Sequence, residues 1–324
     1  MNPSSPRPRP TPPNTSYHRE VLFSLGYGTG DDQVKVDPPN PVPMEGDLTE
    51  GPKGLQVSPS GNIYINDYYN GCVKVFSPRG KLIYRTQGKL DNTQISGVDS
   101  AGVIYLFNSG RHGGGDFLTR FTLRGKPIRS VPIEGLPYWI YPGPEGTVGL
   151  VVAPKIDLYT GKGKLRLRRK GDGCNAAGEP FRIFDLNPYG PLRQRGIKLS
   201  VLNISTNHLE RTVVLRPDEQ VIRLLAGIRF GIGTLRLDSV GRPFTDAVCA
   251  RKNPFTIGKA WVFGSDDTVV QYHRDGTPAS AVRFGGGPLV TDPWNITIDG
   301  QGNVYHLEFT TKHMEVVRYH PLHR

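Results

Sequence analysis

Acid–base or metal chemistry in this chain would have to draw on its eight histidines and scattered carboxylates. The histidines are His18, His112, His208, His273, His306, His313, His320 and His323. Their spacing makes no metal-ligand signature, so they read as surface or packing residues. Two carboxylate pairs, Asp31-Asp32 and Asp266-Asp267, have no partner motif, and the second is expected at a turn. The motifs G-x-S-x-G, H-E-x-x-H and G-x-x-x-x-G-K-[ST] are absent. The run Gly110-Arg111-His112-Gly113-Gly114-Gly115 lacks the strand-then-helix setting of a phosphate loop and reads as a loop. No catalytic set emerges. Cys72, Cys174 and Cys249 are far apart and odd in number, which reads as free thiols in the cytoplasm or another reducing compartment. The sequons at Asn14, Asn203 and Asn295 read as chance matches.

Positive charge is the feature most suited to binding. Lys and Arg number 40 against 29 Asp and Glu, a net charge of +11. Residues 155–170 concentrate it: Lys155, Lys162, Lys164, Arg166, Arg168, Arg169 and Lys170 stand against Asp157. Lys164, Arg166 and Arg168 alternate with Leu165 and Leu167, so a strand here would put cations on one face and leucines on the other. The expectation is a basic insertion at about 155–180, or an extended hairpin of the third repeat unit, protruding from the fold. Such a ribbon suits an acidic protein, nucleic-acid phosphates or an anionic membrane surface. A second basic element, residues 1–19, is proline-rich, carries Arg7 and Arg9, and is expected to be extended or disordered. It has no apolar signal-peptide core, and no apolar run is long enough to span a membrane.

What positions these residues is a repeat. Glycine at 40 and proline at 29 disfavour long helices. Residues 52–64, P-K-G-L-Q-V-S-P-S-G-N-I-Y, match residues 293–305, P-W-N-I-T-I-D-G-Q-G-N-V-Y, without a gap. Weaker copies occur at 137–148 and 96–105. Each reads as a hairpin, with alternating apolar residues around a D/S-x-x-G turn. A second hairpin follows, clearest at 73–84, 118–129 and 269–284, looser at 181–192 and 233–244, and begun at 315–321. The unit is four antiparallel strands repeated about six times, the signature of an all-β, six-bladed β-propeller.

The last unit runs out before its fourth strand. An orphan strand-like segment, Glu20-Val21-Leu22-Phe23-Ser24-Leu25-Gly26, resembles the fourth strand of the first unit, Lys81-Leu82-Ile83-Tyr84. The N-terminal segment is therefore expected to complete the C-terminal blade and close a single domain over 20–324. In one column, Asp67, Asn108 and Glu308 are read as fixing turns. In another, Tyr64, Tyr105 and Tyr305 are read as packing between blades.

The first unit resembles an NHL repeat through Gly61, Asn62, Tyr64, Asp67, Asn70, Val75, Phe76 and Gly80. The resemblance implies a six-bladed propeller without fixing a function. Similar enzymes hold calcium or zinc in the central channel, at the starts of the inner strands. The matching positions here centre on Lys53, Gln94, Tyr138 and Trp294, which make no metal cage, so no cofactor is expected. The leading reading is a non-catalytic binding or scaffold propeller in a larger assembly, contacting protein partners through its tail and basic insertion. The alternatives are a propeller-type lyase or lactone hydrolase with a channel metal, and an RNA-binding NHL-type propeller.

Overall fold

The computed structural model describes residues 17–36, 51–86, 95–99, 101–108, 117–134, 139–142, 147–152, 155–160, 162–170, 173–174, 180–186, 196–202, 209–215, 234–237, 243–250, 255–257, 260–262, 265–272, 278–284, 295–299, 301–310 and 312–322. Strands β1 (Tyr17–Tyr27) and β2 (Gln33–Val34) come first. Sheet I holds β3 (Leu55–Val57), β4 (Ile63–Asp67), β5 (Cys72–Phe76) and β6 (Leu82–Arg85). Sheet II holds β7 (Ile95–Val98), β8 (Ile104–Asn108), β9 (Phe117–Phe121) and β10 (Pro127–Pro132). Sheet III holds β11 (Trp139–Pro142), β12 (Val148–Val152), β13 (Lys155–Tyr159) and β14 (Leu165–Lys170). Sheet IV holds β15 (Gly173–Cys174), β16 (Pro180–Leu186), β17 (Gly196–Leu202) and β18 (Leu209–Leu215). Sheet V is built from β19 (Thr234–Leu237), β20 (Pro243–Ala250), β23 (Ser265–Tyr272) and β24 (Pro278–Arg283). A separate hairpin, β21 (Phe255–Ile257) with β22 (Ala260–Val262), interrupts it in sequence. Sheet VI runs β25 (Ile296–Ile298), β26 (Val304–Phe309), β27 (His313–Pro321), β1, β2.

The D/S-x-x-G signal forms the turns expected of it. Asp99 Oδ1 accepts from the backbone N–H of Ala101 and Val103, and Asp299 Oδ1 does the same for Gln301 and Asn303. Gly61, Gly102 and Gly302 follow at φ +82, +83 and +88, where a Cβ is disfavoured. The outer hairpins repeat a second turn. Ser77, Thr122 and Thr160 each accept through the side-chain oxygen from the N–H four residues on, ahead of left-handed Gly80, Gly125 and Gly163.

Burial shows why these strands stack. All five residues of β4 are buried, which requires both faces of sheet I to be covered. Ile63 and Ile65 join Leu55, Phe76, Tyr305, Leu307, Phe309 and Met314 in a core shared with sheet VI. Tyr64, on the opposite face, joins Ile104, Leu106 and Phe121 of sheet II. Tyr105 and Phe107 then join Ile140, Leu150 and Tyr159 of sheet III. On the far side, Ile296, Val304 and Val317 meet Val269, Val282 and Phe284 of sheet V. The described cores thus run V–VI–I–II–III, and the tyrosine column packs between sheets. The first strands adjoin one another, β25 beside β3, β3 beside β7 and β7 beside β11, which marks the inner end.

Two second-hairpin readings are corrected. Residues 181–192 were expected as a second hairpin, but β16 lies between β15 and β17, so it is the second strand of sheet IV. Residues 233–244 fall on β19 and β20, the first hairpin of sheet V. Both kinds of hairpin alternate apolar residues around a similar turn, so the pattern alone does not separate them. Over Lys155–Lys170 the structure has the hairpin of the two alternatives, insertion or extended hairpin. It is the ordinary outer hairpin of sheet III, β13 paired with β14. Asp266-Asp267 lies on β23 opposite Cys249 and Val248 rather than in a turn. Residues 1–16 and the glycine run lie outside the described residues.

Candidate functional site

At the inner end, the β3–β4 pairing continues past the strand. Lys53 N–H donates to Asn66 O at 3.0 Å, and Asn66 N–H to Gly54 O at 2.9 Å. This sets Lys53 at the start of its inner strand, with its ammonium 4.7 Å from the centre of the Tyr68 ring. Tyr68 sits on a single 3-10 turn, Tyr68–Asn70, and meets Tyr69 edge-on at 5.0 Å. The repeat aligns Asn295 with Gly54, and β25 adjoins β3. Asn295 is 1% exposed, so its sequon is not an accessible glycan acceptor, and among the described residues its buried Oδ1 meets no hydrogen-bond donor. Gln94, Tyr138 and Trp294 lie outside the described residues. Among the described residues no group of three or more His, Cys, Asp or Glu side chains could hold a metal. One amide oxygen and an ammonium do not fit a divalent cation.

The second cluster joins the N-terminal segment to sheet I. Lys74 and Asp67 form a fully buried ion pair at 3.0 Å. Lys74 Nζ also donates to Gly30 O at 2.6 Å and Gln33 O at 2.5 Å, while Asp67 accepts from Lys35 N–H and from Asn70 Nδ2. Every formal partner is supplied, as a buried charge pair requires. The Asn70 bond fixes the turn as expected of Asp67, and the buried lysine partner was not anticipated. Its signal was a lysine between Val73 and Val75 in a strand with two covered faces. The Asn108 side chain is outside the described set.

Glu308, the third member of that column, reaches across its sheet. It accepts from Tyr319 Oη at 2.5 Å and from Arg19 at 2.8 Å, and His306 Nδ1 lies 3.8 Å away. Burial pushes the Glu308 carboxyl up, but His306, Arg19 and Tyr319 outweigh it and hold it at about 2. Burial likewise raises the Tyr319 hydroxyl well above its ordinary value, so neither group is poised for proton transfer near neutrality. Arg19 also pairs with Glu315, and Glu20 pairs with Arg318 and His320. These links tie β1 to β26 and β27. His306 stacks on Phe284 at 4.3 Å, a packing role as expected. Cys72 is free and buried, and burial lifts its thiol to about 11, away from reactivity.

In the basic hairpin, Lys155, Lys162, Lys164, Arg166, Arg168 and Lys170 are exposed. Arg168 is spent within the fold, on Asp157 at 2.7 Å and Glu134 at 3.0 Å. The expected two-faced ribbon is interrupted, because Tyr159 pairs with Leu165 and Leu158 with Leu167, leaving Arg166 bulged. Leu165 stays 40% exposed. The Arg169 side chain, and Arg7 and Arg9, are outside the described residues.

The sequence matches no known protein family and no curated protein. Solved structures do resemble it. A member of the DUF4221 family from Bacteroides vulgatus shares 10% identity over 96% of this chain and 100% of that one, with a TM-score of 0.51. Hydrazine synthase of Kuenenia stuttgartiensis shares 15% over 82% and 78%, with a TM-score of 0.47. Virginiamycin B lyase of Staphylococcus aureus shares 11% over 94% and 100%, also at 0.47. At such identities the likeness is one of fold alone. Among the described residues the chain is all-β, and its four-stranded antiparallel sheets pack face to face in the manner of propeller blades. Among the described residues no helix is long and apolar enough to cross a membrane.

Proposed function

We propose that this chain is a six-bladed propeller, closed by β1 as the fourth strand of the last blade, that binds and acts on a small polar ligand at its inner end. Six sheets of four or more strands, the β1–β27 pairing and the core shared by sheets VI and I support the closure. The observation that carries the functional reading is the buried Asn295 oxygen with no donor, at the start of an inner strand. A buried acceptor left unmatched is costly unless a ligand or water completes it. The chemistry it suits is that of the lyase or lactone hydrolase propellers. Asn295 accepts from a ligand hydroxyl or amide, and Lys53 supplies positive charge to a developing oxyanion. Gln94, Tyr138 and Trp294 complete the proposed lining, and no step is assigned to a metal. Binding and turnover of an aldonolactone and a macrocyclic lactone, followed by calorimetry and product analysis, test the reading. Asn295→Ala should abolish binding with the fold intact. Unchanged binding in that variant, or no binding by the parent, would overturn it.

A second reading is a non-catalytic binding propeller that docks an acidic protein partner through Lys155, Lys162, Lys164, Arg166, Arg169, Lys170 and the tail residues Arg7 and Arg9. The exposure of the sheet III hairpin favours it. Pull-down with the full chain, repeated with Lys164→Ser/Arg166→Ser, decides between a partner held by this hairpin and none.

A further inference from the structure

The outer-hairpin turn is the same object in sheets I, II and III, and it displays the same charges. Each begins with a hydroxyl residue, Ser77, Thr122 or Thr160, whose backbone N–H donates to the carbonyl four residues on and whose carbonyl accepts from the turn glycine. Two positions after it stand Arg79, Arg124 and Lys162, and four positions after it Lys81, Lys126 and Lys164. All six cations are exposed, and none forms an ion pair with another of the described residues. Both hairpins of a four-stranded meander turn at the same end of the sheet, so the three pairs lie on one rim.

The rim is continuous because each turn docks on the outer strand of the preceding sheet. A Cβ on Gly125 would stand 2.3 Å from Arg85 O on β6, and one on Gly163 would stand 2.3 Å from Val131 Cγ2 on β10. Arg124 and Lys126 are thereby set beside Arg85, and Lys162 and Lys164 beside the strand that carries Arg129. Arg85 has one weak, exposed contact, with Asp31 at 3.6 Å. Arg168, already neutralised, is not part of this arc.

Aliphatic side chains interleave with the charges. Leu123 at the tip of the sheet II turn is 55% exposed, and Ile83 and Ile128, each three residues past a turn glycine, are 50% and 52% exposed. Leu123 on its turn, and Ile83 and Ile128 at the bulges where β6 and β10 begin, stand among these cations, a combination that suits a surface anionic outside and apolar beneath. A polynucleotide would use the cations but gain nothing from Leu123, and among the described residues this arc carries no exposed aromatic side chain for base stacking.

We propose that the outer-hairpin rim of sheets I–III docks the protein on an anionic lipid bilayer, with Leu123 entering the interface. This surface is separate from the inner-end site, so either proposal can fail alone. The test is sedimentation of the full chain with phosphatidylcholine vesicles, with and without phosphatidylserine. Binding should need phosphatidylserine and fall with added salt. Arg124→Ser/Lys126→Ser should weaken it about thirtyfold, from about 1 kcal/mol per cation near the surface. Arg79→Ser/Lys81→Ser, on a different sheet, should do the same. Leu123→Ser should weaken vesicle binding several-fold while leaving the melting transition in place. Three results would overturn the proposal: equal binding to both vesicle types, unaffected binding in both double variants, or preference for polyuridylate insensitive to Leu123→Ser.

Discussion

Lys74 and Asp67 show how a single pair of side chains can carry a long-range connection. Each is fully buried, and the lysine holds the carbonyls of Gly30 and Gln33 from a segment more than forty residues earlier. Removing one partner strands the other charge, so Lys74→Met should cost about 3–5 kcal/mol in urea unfolding. Asp67→Asn/Lys74→Met should cost less than Lys74→Met alone, because no bare charge remains. Glu308 gives a pH signature. Its carboxyl is held at about 2 when folded, below the unfolded value of about 4.3. The stability it adds is therefore complete above about pH 4.3 and disappears as pH falls through about 2. Unfolding free energies of the parent and Glu308→Gln should differ at neutral pH and converge in acid. A constant difference across that range would remove Glu308 from the account. At this scale the sequence was only half legible. Asp67 and the tyrosine column stood out by position, whereas the cation beside Asp67 depends on a chain crossing that no local pattern encodes.

Turns and outer strands are the elements on which the stacking depends. Gly80, Gly125 and Gly163 occupy one structural position, and a Cβ at each would strike the neighbouring outer strand: Phe23 on β1, Arg85 on β6 and Val131 on β10. That equivalence gives β1 the role of an outer strand independently of its pairing with β27. It also yields a graded prediction. Gly61→Ala would carry the left-handed backbone penalty of about 1–2 kcal/mol. Gly125→Ala would add a backbone clash and should lower the melting temperature further. Equal losses would mean that the turn does not bear on the next sheet. The D/S-x-x-G turns were readable because Asp99 and Asp299 act on their own backbone within four residues. The middle sheets were not, because β16 and β19 share their alternation with outer hairpins and only pairing assigns them an order. The cations of residues 155–170 suggested an insertion or an extended hairpin. Their turn, Thr160 to Gly163, matches those of the two preceding sheets, and that match was visible in the sequence.

At the scale of the whole molecule, the first described strand, β1, pairs with the last, β27. Tyr17 pairs with Pro321 and Gly26 with His313, and Arg19, Glu20 and the Lys74–Asp67 pair reinforce the join. The exposed pairs of Arg19 and Glu20 contribute little individually, about 0–1 kcal/mol. More weight falls on the core shared by sheets VI and I, where Leu25, Val34 and Val36 of the N-terminal segment are buried among Ile65, Leu307 and Met314. Without β1 that core opens and β27 becomes an unpaired edge. The most direct test is equilibrium unfolding in urea of the chain lacking residues 1–26. The closed-propeller account predicts loss of the single cooperative transition, restored in part by a peptide spanning residues 17–36. A truncated chain that unfolds cooperatively at the midpoint of the full protein would contradict it.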